Sequence, residues 1–195
     1  MKTFREKILI TGGCGFIGSH TSNILLKKGY SLLILDSNIN SSPITIKRLS
    51  QIAIKEGIDL QNKITFYQGD LRDLKFINSI FSEQKSLGNK IEFVIHFAGL
   101  KSVNESNLIP LNYWDVNLGG TLNLLKVMSS NDCRNIIFSS SATVYQNKQD
   151  SQLSEIDVTN PSNPYGNTKL AIEKVLNDIY LSSKKRWKIA CLRYF

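Results

Sequence analysis

The sequence predicts an α/β fold, in which helices cover both faces of one doubly wound parallel sheet. Six short apolar segments alternate with amphipathic helical patterns, and a cluster of glycines lies between the first segment and the first helix. An acidic residue, Asp36, ends the second apolar segment. Together these observations favour the Rossmann strand order 3-2-1-4-5-6, with a ligand bound at the carboxyl ends of the strands.

The individual elements follow from apolar periodicity and from turn residues. The predicted strands are 7–11, 31–35, about 63–67, 91–96, 135–139 and 187–194. The predicted helices are 16–28, 43–57, 73–86, about 110–130 and about 165–183. Gly29 and Gly57 mark the ends of the first two helices, and a loop with Pro161 and Pro164 precedes the last.

Length and composition indicate one ordinary globular domain. Of the 195 residues, 42% are hydrophobic and 21% are charged, and we expect residues 1–195 to form a single domain. No apolar run approaches the ~20 residues of a membrane span. Met1–Lys7 leads directly into the first strand, so neither a membrane partner nor a signal peptide is expected.

The cysteines and charges favour a cytoplasmic protein without a metal or nucleic-acid ligand. Cys14, Cys133 and Cys191 are widely spaced and form no C-x-x-C pair, which is typical of a reducing compartment. His96 has no second metal-binding group near it in sequence and is interpreted as a strand-end residue. The net charge of +8 comes from lysines spread along the chain, often at predicted helix ends, so nucleic acid is the least favoured partner.

The glycine cluster, residues 12–18, joins the first strand to the first helix with the spacing G-x-x-G-x-x-G. Gly12 permits a sharp turn off the strand, Gly15 lets a diphosphate approach the backbone, and Gly18 lets the helix pack closely. The helix N-terminus offers free N–H groups and the positive end of its dipole to an anion. For this loop taken alone, a purely structural turn stays open.

Asp36 indicates which dinucleotide the fold binds. It lies 18 residues beyond Gly18, at the carboxyl end of the second predicted strand. A carboxylate there accepts hydrogen bonds from the adenosine ribose and repels a 2′-phosphate, which favours NAD over NADP. The alternative is an Asp that serves only the turn Asp36-Ser37-Asn38.

A tyrosine and a lysine supply the predicted chemistry. Tyr165 and Lys169 lie one turn apart on one face of the last predicted helix. An ammonium near a phenol lowers the tyrosine pKa, so that the tyrosine serves as a base near neutral pH. Ser141 lies just past the fifth predicted strand, where its hydroxyl can bind a substrate hydroxyl and pass on its proton. Without the Tyr-Lys pair, the serines at 139–141 would be interpreted as a polar loop.

The order of these segments resembles the extended short-chain dehydrogenase/reductase superfamily and, within it, the UDP-glucose 4-epimerases. The resemblance covers essentially the whole chain. Its segments are 12–18, Asp36, 69–71, 97–106, Asn117, 139–145, 165–169 and 192–195. It implies an NAD-dependent isomerase that interconverts UDP-galactose and UDP-glucose through a 4-keto sugar, and a homodimer that pairs through helices at about 103–130 and 165–183.

The resemblance also implies roles for individual residues. Tyr165 would be the base, Lys169 its pKa partner and a ribose ligand, and Ser141 a second substrate contact. The implied cofactor contacts are Gly12, Gly15, Phe16, Ile17, Gly18, Asp36, Ser37, Asn38, Ile39, Asn40, Ser41, Asp70, Leu71, Phe97, Ala98, Gly99, Leu100, Lys101, Asn117, Ser141, Tyr165, Lys169 and Phe195. The implied substrate contacts are Lys101, Ser141, Thr143 and Tyr165.

The chain departs from the family pattern at two places, Gln146 and its end at Phe195, and differs from related dehydratases at Ala142-Thr143. Gln146 stands where the family usually has glycine, and Ala142-Thr143 replaces the Asp-Glu acid and base of related sugar-nucleotide dehydratases, which disfavours dehydration. The sequence stops at Phe195, before the segment that holds the UDP-sugar in the family. We therefore expect the cofactor-binding part of an epimerase. Another sugar-nucleotide epimerase or reductase, or an NAD-binding module without turnover, stays open.

Overall fold

A computed structural model describes residues 5–146 and 152–195. Its sheet has six parallel strands in the order β3-β2-β1-β4-β5-β6, which confirms the predicted strand order. The strands are β1 (Arg5–Thr11), β2 (Leu32–Asp36), β3 (Ile64–Gln68), β4 (Asn89–His96), β5 (Asn135–Ser141) and β6 (Lys188–Tyr194).

Helices connect the strands and cover both faces of the sheet. They are α1 (Phe16–Lys27), α2 (Ile44–Lys55), α3 (Leu74–Ser86), α4 (Val103–Leu108), α5 (Pro110–Tyr113), α6 (Gly120–Ser130) and α7 (Pro164–Ser182), with a π-helical segment (Trp114–Gly119) and a 3₁₀ turn (Ala142–Val144). Among the described residues, no helix combines the length and the hydrophobicity that crossing a membrane requires.

The alternation of side chains along β1 and β2 builds the core on both faces. Leu9 and Leu33 pack in one apolar cluster with residues of α3, α6 and α7, whereas Ile10 and Ile34 pack in a second cluster with residues of α1 and α2. Because successive side chains of a strand point to opposite faces, a continuous apolar strand needs cover on both sides. The continuous apolar pattern of these strands therefore requires a layer of helices on each face of the sheet.

The region predicted as one helix over about 110–130 is divided in the structure. Helical structure begins at Val103, breaks at Ile109 (φ −129°, ψ 57°) and resumes at Pro110. Proline has no backbone N–H to continue the helix and moves the preceding residue away from the α region. Beyond Tyr113 the backbone widens into the π-helical segment, in which Asn117 is buried.

Candidate active site

A cleft of about 480 Å³ opens at the carboxyl ends of the strands. It lies where the strand order reverses between β1 and β4, the position at which open α/β sheets bind ligands. Segments from opposite parts of the sequence form its walls: the glycine loop, the ends of β2 and β3, the loop after β4, the end of β5 and the start of α7.

The glycine loop needs glycine for reasons that the structure makes explicit. Gly12 has a φ of +69°, and a Cβ there would lie 2.6 Å from the amide nitrogen of Ala98. A Cβ on Gly18 would overlap the carbonyl oxygen of Gly12. Gly15 is the N-cap of α1 and offers no side-chain cap, so the first N–H groups of this helix have no side-chain acceptor beside the cleft. This cradle fits a diphosphate bound through backbone N–H groups.

The Asp36 carboxylate is fixed in place by its own surroundings. Its Oδ2 accepts a hydrogen bond from Cys14 N (2.9 Å), and its Oδ1 accepts from Asn38 N (2.9 Å) and Ser41 Oγ (2.8 Å). The residue is 6% exposed and lines the cleft. A carboxylate has about four acceptor sites, so these three bonds leave capacity for one donor from a ligand.

Tyr165, Lys169 and Ser141 all line the same cleft. Lys169 Nζ donates to the carbonyl oxygen of Ser139 at 2.7 Å and lies 5.8 Å from the centre of the Tyr165 ring. Burial lowers the pKa of Lys169 to about 8. Asn163 sets the start of this helix, because its Oδ1 accepts from Gly166 N at 2.8 Å.

The pKa of Tyr165 moves in the direction opposite to the prediction. Burial raises it above its ordinary value, and a hydrogen bond with Ser141 opposes this only in part. The prediction relied on the nearby ammonium. In the structure, the loss of hydration of the phenolate raises the pKa by more than the hydrogen bond with Ser141 lowers it. The same burial lowers the pKa of Lys169, for the same physical reason.

Four predicted site residues do not line the cleft: Asn38, Asn117, Thr143 and Phe195. Asn117 is buried and binds the loop after β4, since its Oδ1 accepts from Leu100 N (2.8 Å) and its Nδ2 donates to Leu100 O (3.0 Å). The Thr143 hydroxyl donates to Ser141 Oγ at 3.0 Å, and Phe195 is 84% exposed. The ligand contacts implied for these four residues stay predictions.

The other predicted site residues all lie on the cleft. On the cofactor side they are Gly12, Gly15, Phe16, Ile17, Gly18, Asp36, Ser37, Ile39, Asn40, Ser41, Asp70, Leu71, Phe97, Ala98, Gly99, Leu100 and Lys101. Their assembly around one cavity is what a dinucleotide site requires, whereas each individual ligand contact remains a prediction.

Comparison with known proteins places this geometry in a family. The family model described as GDP-mannose 4,6 dehydratase matches residues 9–195. The chain belongs to this family. It is 44% identical to UDP-glucose 4-epimerase 2 of Arabidopsis thaliana over 97% of this chain and 51% of that protein. It is also 44% identical to UDP-glucose 4-epimerase of Bacillus subtilis (strain 168) over 96% of this chain and 52% of that protein.

A solved structure agrees with the sequence comparison. UDP-glucose 4-epimerase from Bifidobacterium longum, in complex with NAD+ and UDP, matches with a TM-score of 0.87 and 43% identity over 97% of this chain and 53% of that chain. These findings confirm the resemblance to UDP-glucose 4-epimerases. The chain spans about half the length of the curated relatives it matches.

Several residues that line the cleft were not predicted from the sequence. They are Cys14, Leu35, Gly69, Val116, Ser139, Ser140 and Tyr194. Cys14 and Leu35 adjoin residues that were predicted, and a local window could have included them. Ser139 acts through a backbone carbonyl and Val116 through the shape of a π-helical segment, so neither carries a signal in residue type.

A second feature missed from sequence is the ion pair that joins β6 to α7. Arg193 donates to both carboxylate oxygens of Glu173, at 3.0 and 2.6 Å, and to the Tyr145 hydroxyl at 2.8 Å. Ser140 Oγ donates to the same carboxylate at 2.5 Å. This network fixes the end of β5 beside the Tyr165 helix.

Proposed function

We propose that this chain binds NAD in the cleft and forms the cofactor-binding and catalytic half of a UDP-glucose 4-epimerase. The observation that carries the proposal is the meeting of two sets of residues in one cavity: the glycine loop with Asp36, and Tyr165 with Lys169 and Ser141. The similar epimerase from Bifidobacterium longum, crystallised with NAD+ and UDP, supports both ligands.

The first set of residues fits an NAD molecule. The Gly12–Gly18 loop and the start of α1 would hold the diphosphate, and the remaining acceptor site of Asp36 would hold the adenosine ribose. A 2′-phosphate would meet the Asp36 carboxylate, which is fixed by three hydrogen bonds and cannot turn away without losing them. We therefore propose NAD over NADP.

The second set performs the proton chemistry. A bound NAD supplies a hydride acceptor and donor. Tyr165 would take the proton of the sugar hydroxyl and later return it, while Ser141 would hydrogen-bond the same hydroxyl. Because burial raises the pKa of Tyr165, the phenolate needs stabilising by the charge of Lys169 and by the Ser141 hydroxyl.

The residues that follow β5 favour epimerisation over dehydration, although the family model is named for a dehydratase. The 3₁₀ turn directly after Ser141 begins with Ala142 and Thr143, and neither side chain is a carboxylic acid or a carboxylate. Elimination of water from a sugar needs a further acid and base beside the reacting carbon. Ala142 has only a methyl group and Thr143 a hydroxyl at those two positions, and neither residue lines the cleft.

We also propose a homodimer and a cytoplasmic location. Leu108 and Leu111 are 81% and 83% exposed on α4 and α5, and Trp114 is 36% exposed at the start of the π-helical segment. Large exposed apolar side chains next to one another are typical of interaction surfaces, and a second copy of the chain is the proposed partner.

Three free cysteines support a reducing compartment.

The test separates cofactor binding from turnover. Calorimetric titration of residues 1–195 should show NAD binding, and we propose that residues 1–195 alone do not convert UDP-galactose, because remote binding energy orients the sugar and the relatives are about twice as long. Joining the chain to the C-terminal half of the Bacillus subtilis relative should produce epimerase activity. In that fusion, Tyr165→Phe should remove most turnover and keep NAD binding.

A matched control is available on the same helix. Tyr180 is half-buried on α7 outside the cleft, so Tyr180→Phe should leave turnover unchanged. Absence of NAD binding to folded wild-type chain would refute the proposed cofactor. Turnover in the Tyr165→Phe fusion equal to that of the wild-type fusion would refute the proposed base.

A further inference from the structure

His96, at the end of β4, is a buried imidazole that the proposed chemistry does not use. It is 1% exposed, and both ring nitrogens have partners: Nδ1 lies 2.6 Å from Thr11 Oγ1, and Nε2 lies 2.8 Å from Thr121 Oγ1. Burial and, to a smaller extent, the nearby charge of Lys169 lower its pKa to about 3. The ring is therefore neutral at physiological pH, with one N–H donor and one acceptor nitrogen.

The partners of His96 determine which nitrogen carries the proton. The Thr121 hydroxyl donates its only hydrogen to the carbonyl oxygen of Asn117 at 2.5 Å, so toward His96 it can only accept. Nε2 must then be the donor, and Nδ1 must accept from the Thr11 hydroxyl. Thr11 Oγ1 in turn lies 3.4 Å from the amide of Ala98, a long contact in which it accepts.

The hydrogen bonds continue from Asn117 to the Tyr165 helix. The Asn117 side chain binds both backbone groups of Leu100 and uses its second N–H to donate to Thr168 Oγ1 at 3.1 Å. The Thr168 hydroxyl donates to the carbonyl oxygen of Tyr165 at 2.7 Å. Within the described residues, none of these side-chain atoms is left buried without a partner.

We propose that His96, held in the neutral Nε2–H tautomer, is a positioning residue. It sets the distance between the strand ends at the cofactor cleft and the Asn117 side chain, which binds the Leu100 loop and α7. Every bond in the series has one possible direction, so the ring cannot reverse its roles without leaving a buried hydroxyl unpaired. Its effect on NAD affinity rests on the proposed function, whereas the tautomer and the geometry do not.

The tautomer can be measured directly on the 195-residue chain. The sequence has two histidines, so the His20→Gln variant, which removes the exposed one on α1, assigns the imidazole ¹⁵N signals of His96. We expect one neutral Nε2–H form that does not titrate between pH 5 and pH 8. A protonated Nδ1, a mixture of tautomers, or titration in this range would overturn the proposal, whether or not the chain binds NAD.

Variants then test whether the ring positions the loop or only contributes to stability. His96→Phe removes both hydrogen bonds, whereas His96→Gln keeps an N–H donor that can reach Thr121. We expect faster hydrogen exchange at the Leu100 amide and about threefold to tenfold weaker NAD binding for His96→Phe, with partial recovery for His96→Gln. Thr121→Val, which removes the acceptor, should act in the same direction and serves where His96→Phe does not fold.

A core variant on the same strand controls for lost stability. Ile91 is buried, does not line the cleft and has no part in these hydrogen bonds, so Ile91→Val should leave Leu100 exchange and NAD affinity as in the wild type. If folded His96→Phe or Thr121→Val behaves like Ile91→Val, His96 is structural only and the proposal fails. If the wild type does not bind NAD, the hydrogen-exchange rates at the Leu100 amide still test whether His96 positions the loop.

Discussion

Replacing Lys169 by methionine should change how the stability of the fold depends on pH. Lys169 is 4% exposed, its Nζ donates to Ser139 O at 2.7 Å and lies 4.8 Å from the centre of the Phe138 ring. Burial lowers its pKa from 10.5 to about 8. Methionine has a similar length, fills the same space and cannot titrate.

The sign of the effect follows from proton linkage. The unfolded chain keeps the ordinary lysine pKa and holds the proton through the neutral range, whereas the folded chain releases it near pH 8. Between the two pKa values the folded state binds fewer protons, so stability rises with pH in that window. Each pKa unit is worth about 1.4 kcal/mol. The buried charge of Lys169 therefore destabilises the folded state by about 3 kcal/mol at pH 7, and this destabilisation is smaller by about 1 kcal/mol at pH 9.

In the Lys169→Met variant, the destabilisation by the buried charge and its decrease with rising pH are both absent. It also leaves the Ser139 carbonyl without its donor, at about 1–3 kcal/mol, so the free energy of unfolding at pH 7 should change little. The difference between the two proteins should nevertheless move by about 1 kcal/mol in favour of the wild type from pH 7 to pH 9.

Urea unfolding at pH 7, 8 and 9 measures this difference. Burial raises the pKa of the thiols of Cys14 and Cys133 to about 12, but both thiols are present in both proteins, so their titration cancels. Lys174→Met, which removes an exposed lysine from the same helix, should run parallel to the wild type. A constant difference between wild type and Lys169→Met over this pH range would refute the argument.

Three further predictions follow from the site. Asp36→Asn should narrow the preference for NAD over NADP by about tenfold, the equivalent of about 1.4 kcal/mol of lost repulsion, and calorimetric titration of both cofactors measures it. Gly12→Ala should destabilise the fold by at least about 2 kcal/mol in urea unfolding, because its Cβ meets the facing loop, whereas Gly57→Ala, at φ +75° in open space, should cost only about 1 kcal/mol. Glu173→Gln should cost about 1–3 kcal/mol in the same assay, since it removes the charge that binds Arg193 at two points.

The fold could be predicted from the sequence because its signals are local. Apolar segments such as Leu32–Asp36 are short and bounded by turn residues, and the glycine spacing specifies the first strand, turn and helix together. The helical region 103–130 was predicted less well. The break before Pro110 has a sequence signal, but the π-helical Trp114–Gly119 has none, since a widened turn depends on what the helix packs against.

The candidate site was predictable where the role belongs to a residue type and not where it belongs to a position in space. The roles proposed for Gly12, Asp36 and Tyr165 depend on properties that only a few residue types have. Asn117 and His96 are ordinary polar residues in sequence. Their hydrogen bonds to distant segments, Leu100 and Thr121, become visible only when the chain is folded.

The direction of the Tyr165 pKa shows why spacing alone does not determine chemistry. A tyrosine and a lysine one turn apart predict attraction between phenolate and ammonium, but burial acts on each charge separately and disfavours both. It raises the pKa of Tyr165 above its ordinary value and lowers that of Lys169 to about 8, so the two values move apart and the ammonium loses its proton before the phenol does. Whether the pair supplies a base therefore depends on what keeps Lys169 charged. The Ser139 carbonyl at 2.7 Å and the Phe138 ring at 4.8 Å both favour the charged form, and both belong to β5 rather than to the helix that carries the Tyr-Lys pattern.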